Sequence, residues 1–339
     1  MAHNAPYKIC FVHKNRETEE EDEKNYKTYK EIVAKLPTLE GWLGNSVYQY
    51  QSFWYNFDLV GVGPLAVQHH FTAQPTDILL ASCGSNWLKS LAFSVMNRKS
   101  YPPSSQQHPL LTFNSNDLVP VMEVILYNNN LNCNQIPNLD ILPSPRLFGT
   151  YMPYTSLPQS ITHSDHARII YICRNTKENF LSWWHFVNKF RSNISLEPMK
   201  LEEAFQWFCK GKSAFGPFWD HVLGYWKASL ERPGNVLFLK CDDIMAQPNF
   251  YFKRMGDFMG YPFSSMEEKE GVVDQIIKLC SFENLSNLDV NKAASGPPLY
   301  GAYFRGNKVG DFANYLTPEM IEQLDHITEQ KFHGSGLTL

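Results

Sequence analysis

The sequence predicts an α/β protein with a mostly parallel central sheet flanked by helices, and three observations predict it. Four short apolar runs, Asp77–Ser82, Arg146–Tyr151, Ala167–Cys173 and Asn235–Cys241, have the length and two-sided apolarity of buried parallel strands. Amphipathic patterns of helical period stand among them, over Leu201–Gly211, Pro217–Glu231 and Asn249–Gly260. The first run also passes through only Cys83, Gly84, Ser85 and Asn86 before a helical pattern opens at Trp87, with Leu88, Leu91, Ala92 and Val95 on one face. A strand, a glycine-bearing turn and a helix N-terminus form the layout of an anion cradle, because the first helical amides are free and the helix dipole is positive there. The same layout also serves as a plain strand-to-helix turn.

Composition narrows the function classes. The chain has 339 residues and a formal net charge of −4, which gives no reason to expect nucleic acid or an anionic membrane as partner. Its 23 Phe, 17 Tyr and 8 Trp suit apolar pockets and ordinary cores alike. Seven cysteines are scattered with no C-x-x-C pair, which predicts reduced thiols and a cytoplasmic protein. The first residues show no apolar stretch of a secretory signal, and no run approaches a membrane span. The histidines show no metal-ligand spacing, so no metal site is expected.

In chain order, residues 1–30 read as a polar, partly disordered lead-in with an acidic cluster at Glu17–Glu23, and 31–339 as one domain. Tyr48–Tyr55 is aromatic and β-prone. Tyr101–Gln107 and Asn128–Pro137 read as loops. Arg174 follows the third apolar run, where its planar fork suits a phosphate or a surface ion pair. Cys241 reads as a small buried hydrophobe. Thr317 is the predicted cap of a last helix over Thr317–Gly334, with Glu319 in its first turn.

Several motifs resemble the plant cytosolic sulfotransferases, which transfer a sulfuryl group from 3′-phosphoadenosine-5′-phosphosulfate (PAPS). They are LLAS…WLKSLAF from Leu79, the aromatic segment at Tyr48, YMPYTSLP at Tyr151, CRNTKENFLSWWHF at Cys173, GPFWDHVLGYW at Gly216, LCSFENLSNLDVNK at Leu279 and FRGNKVGDF at Phe304. The resemblance runs from about Tyr48 to the end and implies the P-loop NTPase-like sulfotransferase fold. It also implies PAPS or adenosine 3′,5′-bisphosphate as cofactor and a small hydroxylated, alkaloid-type or phenolic metabolite as acceptor. Nucleic acid and membrane are not implied as partners, and the expected state is a monomer or weak homodimer. The implied cofactor residues are Gly84, Ser85, Asn86, Trp87, Arg174, Ser182, Cys241, Phe282, Arg305, Gly306 and Asn307, with Arg174 and Ser182 on the 3′-phosphate.

The departures from the family pattern are as informative. The family's turn reads roughly Tyr-Pro-Lys-Ser-Gly-Thr-Thr; here Pro-Lys-Ser is missing, and with it the lysine of the phosphosulfate bridge. Tyr151 stands at the family's catalytic histidine. A tyrosine of ordinary pKa, about 10, is a poor base near neutrality. Tyr151 therefore reads either as a hydrogen-bond donor or acid, or as a filler of vacated space. Cys241 replaces an adenine-contacting tyrosine, and Gly306 and Asn307 replace a Lys-Gly pair beside the retained Arg305. Three functions follow from this pattern. One is an enzyme that no longer uses PAPS and orients a metabolite for isomerisation, cyclisation or elimination. Another is a residual PAPS-dependent sulfotransferase with a replacement cation such as Lys89 or Lys308. The third is a non-catalytic ligand-binding protein.

Overall fold

The computed structural model describes residues 6–11, 16–44, 46–83, 87–128, 131, 133–292 and 310–339. Its centre is a four-stranded parallel sheet of order β5-β4-β6-β7, formed by β4 (Ile78–Ser82), β5 (Leu147–Thr150), β6 (Arg168–Cys173) and β7 (Val236–Lys240). These are the four apolar runs of the sequence, each trimmed by a residue or two. In register, Leu80 stands opposite Gly149 on one side and Ile170 on the other, and Ile170 opposite Leu237.

Alternation of side chains builds two cores. Leu79, Ala81, Phe148, Ile169 and Tyr171 face the larger one, shared with the helices Gly63–His70, Thr176–Asn193 and Phe218–Glu231. Ile78, Leu80, Leu147, Ile170, Ile172 and Leu239 face the other, shared with Trp87–Asn97, Pro248–Met259 and Val272–Leu279. Both faces are covered, so the strands are apolar on both sides. From β4 the chain moves to β5 on one flank, and from β6 to β7 on the other. The order reverses at the β4/β6 pair, and the crevice beyond the carboxyl ends of such strands is where open α/β sheets bind ligands.

A second, antiparallel sheet joins β1 (Thr38–Glu40), β2 (Ser46–Tyr50) and β3 (Phe53–Asn56). Gln51 and Ser52 both take positive φ between β2 and β3, as a two-residue hairpin requires. Tyr48 and Tyr55 stack on this sheet and are buried. The helix caps follow the local chemistry. Asn175 caps Thr176–Asn193, Thr317 caps Pro318–Phe332, and left-handed Gly260 ends Pro248–Met259.

The N-terminal segment differs from the polar lead-in expected over 1–30. Arg16–Val33 is a helix with Asp22, Tyr26 and Tyr29 buried. The Tyr26 hydroxyl donates to the Tyr127 carbonyl at 3.1 Å, and Asp22 accepts from the Ile136 amide at 2.9 Å. Its acidic residues lie largely on the exposed side, so composition reports the solvated face and hides the buried one. Among the described residues, no helix is long and apolar enough to cross a membrane, and no group of three or more His, Cys, Asp or Glu can hold a metal ion.

Where β4 and β5 begin, a buried ion pair ties the strands. Arg146 Nε and Nη2 donate to the two carboxylate oxygens of Asp77 at 2.8 and 2.6 Å, and the same guanidinium donates to the Leu139 and Thr72 carbonyls. Removing one partner of such a pair strands the other charge away from water. Arg146→Ala is expected to lower unfolding free energy by about 3–5 kcal/mol in urea titration; a loss under about 1 kcal/mol would show that water or another residue takes over the Asp77 charge.

Candidate functional site

The site lies at the carboxyl ends of β4, β5, β6 and β7 and has two ends. One end begins where β6 stops. Arg174 leaves the strand, Asn175 caps the following helix, and Ser182 is its seventh residue, about two turns along it. Two turns bring Ser182 back to the same helix face, and Arg174 Nη1 donates to Ser182 Oγ at 3.1 Å. Both side chains are half-buried. Cys241, the first residue of the helix Cys241–Ala246, lies within reach of the Arg174 charge. Burial pushes its thiol up, and the Arg174 guanidinium pulls the other way. Cys83, Cys173 and Cys241 terminate three neighbouring strands. Burial holds Cys83 up at about 12 and Cys173 well above its ordinary value, so both are neutral thiols near pH 7.

Trp87 opens the helix after the β4 turn. Its indole N–H donates to the Cys280 carbonyl at 3.0 Å, and its ring meets Phe252 edge-on. Cys280 lies just before the Ser281-capped helix Phe282–Asn287, so this contact joins the Trp87 and Phe282 elements. Phe282 itself is 44% exposed, leaving ring surface open to stack on a base. Gly84, Ser85, Asn86, Arg305, Gly306 and Asn307 lie outside the described residues. The structure thus brings Arg174, Ser182 and Cys241 together and joins Trp87 to the Phe282 helix.

The second end is centred on Tyr151, directly after β5. Its ring is buried and packs on Phe215. Lys89, from the first turn of the helix Trp87–Asn97, is only 2% exposed, and its Nζ donates to Tyr151 Oη at 3.1 Å and to Asn116 Oδ1 at 2.7 Å. The ammonium also lies over the Tyr151 ring, 5.0 Å from its centre. Gly149 makes room for this lysine, since a Cβ there would stand 2.8 Å from Lys89 Cε. Burial lowers the Lys89 pKa to about 7, with the charge of Glu123 opposing the fall.

Glu123 sits in the π-helical turn Met122–Leu126 and is fully buried. It accepts from the Tyr151 amide at 2.7 Å and from Thr150 Oγ1 at 2.9 Å. Burial raises its pKa to about 7, against those hydrogen bonds and the charge of Lys89. Gly63 permits the close approach of this turn, because a Cβ there would lie 2.2 Å from the Glu123 carbonyl oxygen.

His221 completes the support. Its Nε2 faces the Tyr151 carbonyl at 3.0 Å and its Nδ1 the Tyr171 hydroxyl at 3.0 Å. A carbonyl only accepts, so Nε2 carries the proton and Nδ1 accepts from Tyr171. Burial lowers the His221 pKa to about 4, and both ring nitrogens are engaged. This histidine therefore fixes Tyr151 and does not replace the base that the sequence lacks.

Tyr151 is thus held on its hydroxyl, its amide and its carbonyl by Lys89, Glu123 and His221. Sequence reading found Tyr151 and named Lys89 only as a spare cation. It missed Glu123 and Asn116, although a carboxylate inside the apolar run Val119–Leu126 was a signal that a buried acid needs partners.

The residues described fit one end of PAPS or adenosine 3′,5′-bisphosphate. Arg174 and Ser182 are already in contact where a phosphate can take up both, and Phe282 presents an open ring.

The two buried groups make stability depend on pH. Glu123 titrates near 7 when folded and near 4.5 when unfolded, so the folded state binds more protons between those values and stability falls as pH rises through that window. Lys89 acts from about 7 to 10.5, where the unfolded state binds more protons and stability rises with pH. Glu123→Gln should flatten the change between pH 5 and 7 relative to wild type, read as the difference between urea midpoints. An unchanged difference would mean that Glu123 is ionised across the whole window.

Known proteins agree with this architecture. The family model for the sulfotransferase domain matches residues 75–336. Cytosolic sulfotransferase 15 of Arabidopsis thaliana is 39% identical over 326 residues, covering 94% of this chain and 89% of that protein. The solved structure of an Arabidopsis thaliana protein assigned as a steroid sulphotransferase superposes with a TM-score of 0.73 at 34% identity, covering 94% of this chain and 97% of the other. A retinol dehydratase, solved with androsterone and the inactive cofactor PAP, shares the fold with a TM-score of 0.67 at 17% identity over 93% of this chain and 96% of its own. With the parallel sheet, the strand-end site and these similarities together, the chain belongs to the plant cytosolic sulfotransferase family.

Proposed function

We propose that this protein is a cytoplasmic enzyme of plant specialised metabolism that moves a proton on a small hydroxylated metabolite of alkaloid or phenolic type. The reaction class is an isomerisation, cyclisation or elimination in place of the family's PAPS-dependent sulfuryl transfer. The observation that carries this reading is the buried contact between Lys89 Nζ and Tyr151 Oη at 3.1 Å.

An amine that titrates near 7 is suited to acid–base work at neutral pH, because both of its forms are populated. As an ammonium, Lys89 donates to the Tyr151 oxygen and stabilises negative charge on it. As an amine, it takes the phenol proton. Tyr151 can then accept a proton from a substrate hydroxyl or carbon acid, or return one to a leaving oxygen, with Lys89 as the store. Glu123 and His221 hold the Tyr151 backbone still, so the phenol meets the substrate in a fixed orientation. Missing from the sequence are the turn lysine and the histidine by which the family stabilises and activates sulfuryl transfer.

One observation favours a second reading, PAPS-dependent sulfuryl transfer. Arg174 and Ser182 are preassembled at 3.1 Å and would hold a 3′-phosphate, while PAPS would supply the sulfuryl group. Lys89 would then be the replacement cation.

Calorimetric titration with PAPS and with adenosine 3′,5′-bisphosphate separates the readings. Binding of the bisphosphate alone, or of neither nucleotide, supports the first. Micromolar PAPS binding with sulfation of a hydroxylated acceptor overturns it in favour of the second. Within the first reading, Tyr151→Phe should lower metabolite turnover by about 10²–10⁴-fold with the circular dichroism spectrum unchanged. Turnover equal to wild type would remove Tyr151 from the chemistry.

A further inference from the structure

Behind Lys89 runs a chain of three buried asparagines that neither the family resemblance nor the proposed chemistry assigns. Asn114, Asn116 and Asn291 are each no more than 4% exposed. Asn116 Oδ1 accepts from Lys89 Nζ at 2.7 Å, and Asn116 Nδ2 donates to Asn114 Oδ1 at 3.0 Å. Asn114 Nδ2 donates to Asn291 Oδ1 at 2.8 Å, and Asn291 Nδ2 donates to the Leu285 carbonyl at 2.9 Å.

The direction of the chain is set by backbone groups that have no choice of role. The Asn116 backbone N–H donates to Asn114 Oδ1 at 2.9 Å, so that atom must be the oxygen. The Leu285 carbonyl can only accept, so the Asn291 atom facing it must be the amide nitrogen. Between these two anchors every amide is oriented, and the end that meets Lys89 is an oxygen. Turning Asn116 over would set its oxygen against Asn114 Oδ1 and its amide nitrogen against Lys89 Nζ, acceptor on acceptor and donor on donor. The chain therefore presents an acceptor to the amine and favours its donating, charged form in a place where burial opposes charge.

We propose that Asn291 is a positioning residue for Lys89, acting through Asn114 and Asn116 so that the turn Asp289–Asn291 and the helix Phe282–Asn287 hold the amine against Tyr151. The inference rests on the reading of Lys89 as the proton-handling amine. The titratable groups around that amine are Tyr151 after β5 and Glu123 in the π-helical turn. Tyr55 from β3 and Tyr225 from the helix Phe218–Glu231 lie beside Glu123, and His221 of the same helix backs Tyr151.

The test follows the Lys89 side chain itself and needs no substrate. In protein carrying ¹³C-labelled lysine, the Lys89 Cε resonance is identified by its loss in Lys89→Met and followed from pH 5 to 10. Asn291→Ala, two amides away from Nζ, should lower the titration midpoint by about one unit, and Asn116→Ala by at least as much. Should Asn291→Ala fail to fold, Asn114→Ser keeps an oxygen to cap the helix Ser115–Leu118 yet cuts the amide chain, and the same fall is expected. A midpoint that moves with Asn116→Ala but stays at the wild-type value when the chain is cut further back would overturn the relay and leave only a local contact. A midpoint that moves with neither would overturn it as well. Unchanged turnover in Tyr151→Phe beside a shifted midpoint in Asn291→Ala would dismiss the proposed chemistry while leaving the relay standing.

Discussion

The burial of Lys89 is the constraint on which the rest of the site depends. A primary amine removed from water must either lose its proton or be surrounded by acceptors. Here it keeps acceptors on two sides, Tyr151 Oη and Asn116 Oδ1, with Glu123 supplying negative charge nearby. Each of those groups is tied down in turn. Glu123 is held by the Tyr151 amide and Thr150, and Asn116 by Asn114. Even the missing side chain at Gly149 belongs to the arrangement, because the space it leaves is the path of the lysine stem.

Such a network is costly if incomplete and rigid if complete. Lys89 and Glu123 oppose each other's burial penalties, so each titrates nearer to neutrality than it would alone. This places two titratable groups on Tyr151, one at its hydroxyl and one at its amide. Tyr151 carries three of the network's contacts, on its hydroxyl, its amide and its carbonyl. It is the point where the network reaches the end of β5, on the ligand-binding edge of the sheet.

The two ends of the site are built differently. At the β6 end, Arg174 and Ser182 meet because a strand end and about two turns of a capped helix bring them together. At the β4 and β5 ends, Lys89 and Tyr151 meet inside a buried polar network. The strand tips join chemistry to packing, since Tyr151 and Cys173 belong to the larger core and also border the site.

Much of this protein was legible in its residues alone. Period and apolarity located the four parallel strands, since a strand covered on both faces has no polar positions to disguise it. Local chemistry located the cap at Thr317, which depends only on neighbours in the chain. Family resemblance singled out Arg174, Ser182 and Tyr151. The N-terminal helix was misread because composition averages over a helix and does not see which face carries Tyr26. What only the tertiary structure decided is the company that Tyr151 keeps. Lys89, Asn116, Glu123 and His221 come from four separate stretches of chain, and no local rule relates them. Their protonation and roles arise from exclusion of water and from contacts between distant segments, which exist only once the sheet and its two cores have formed.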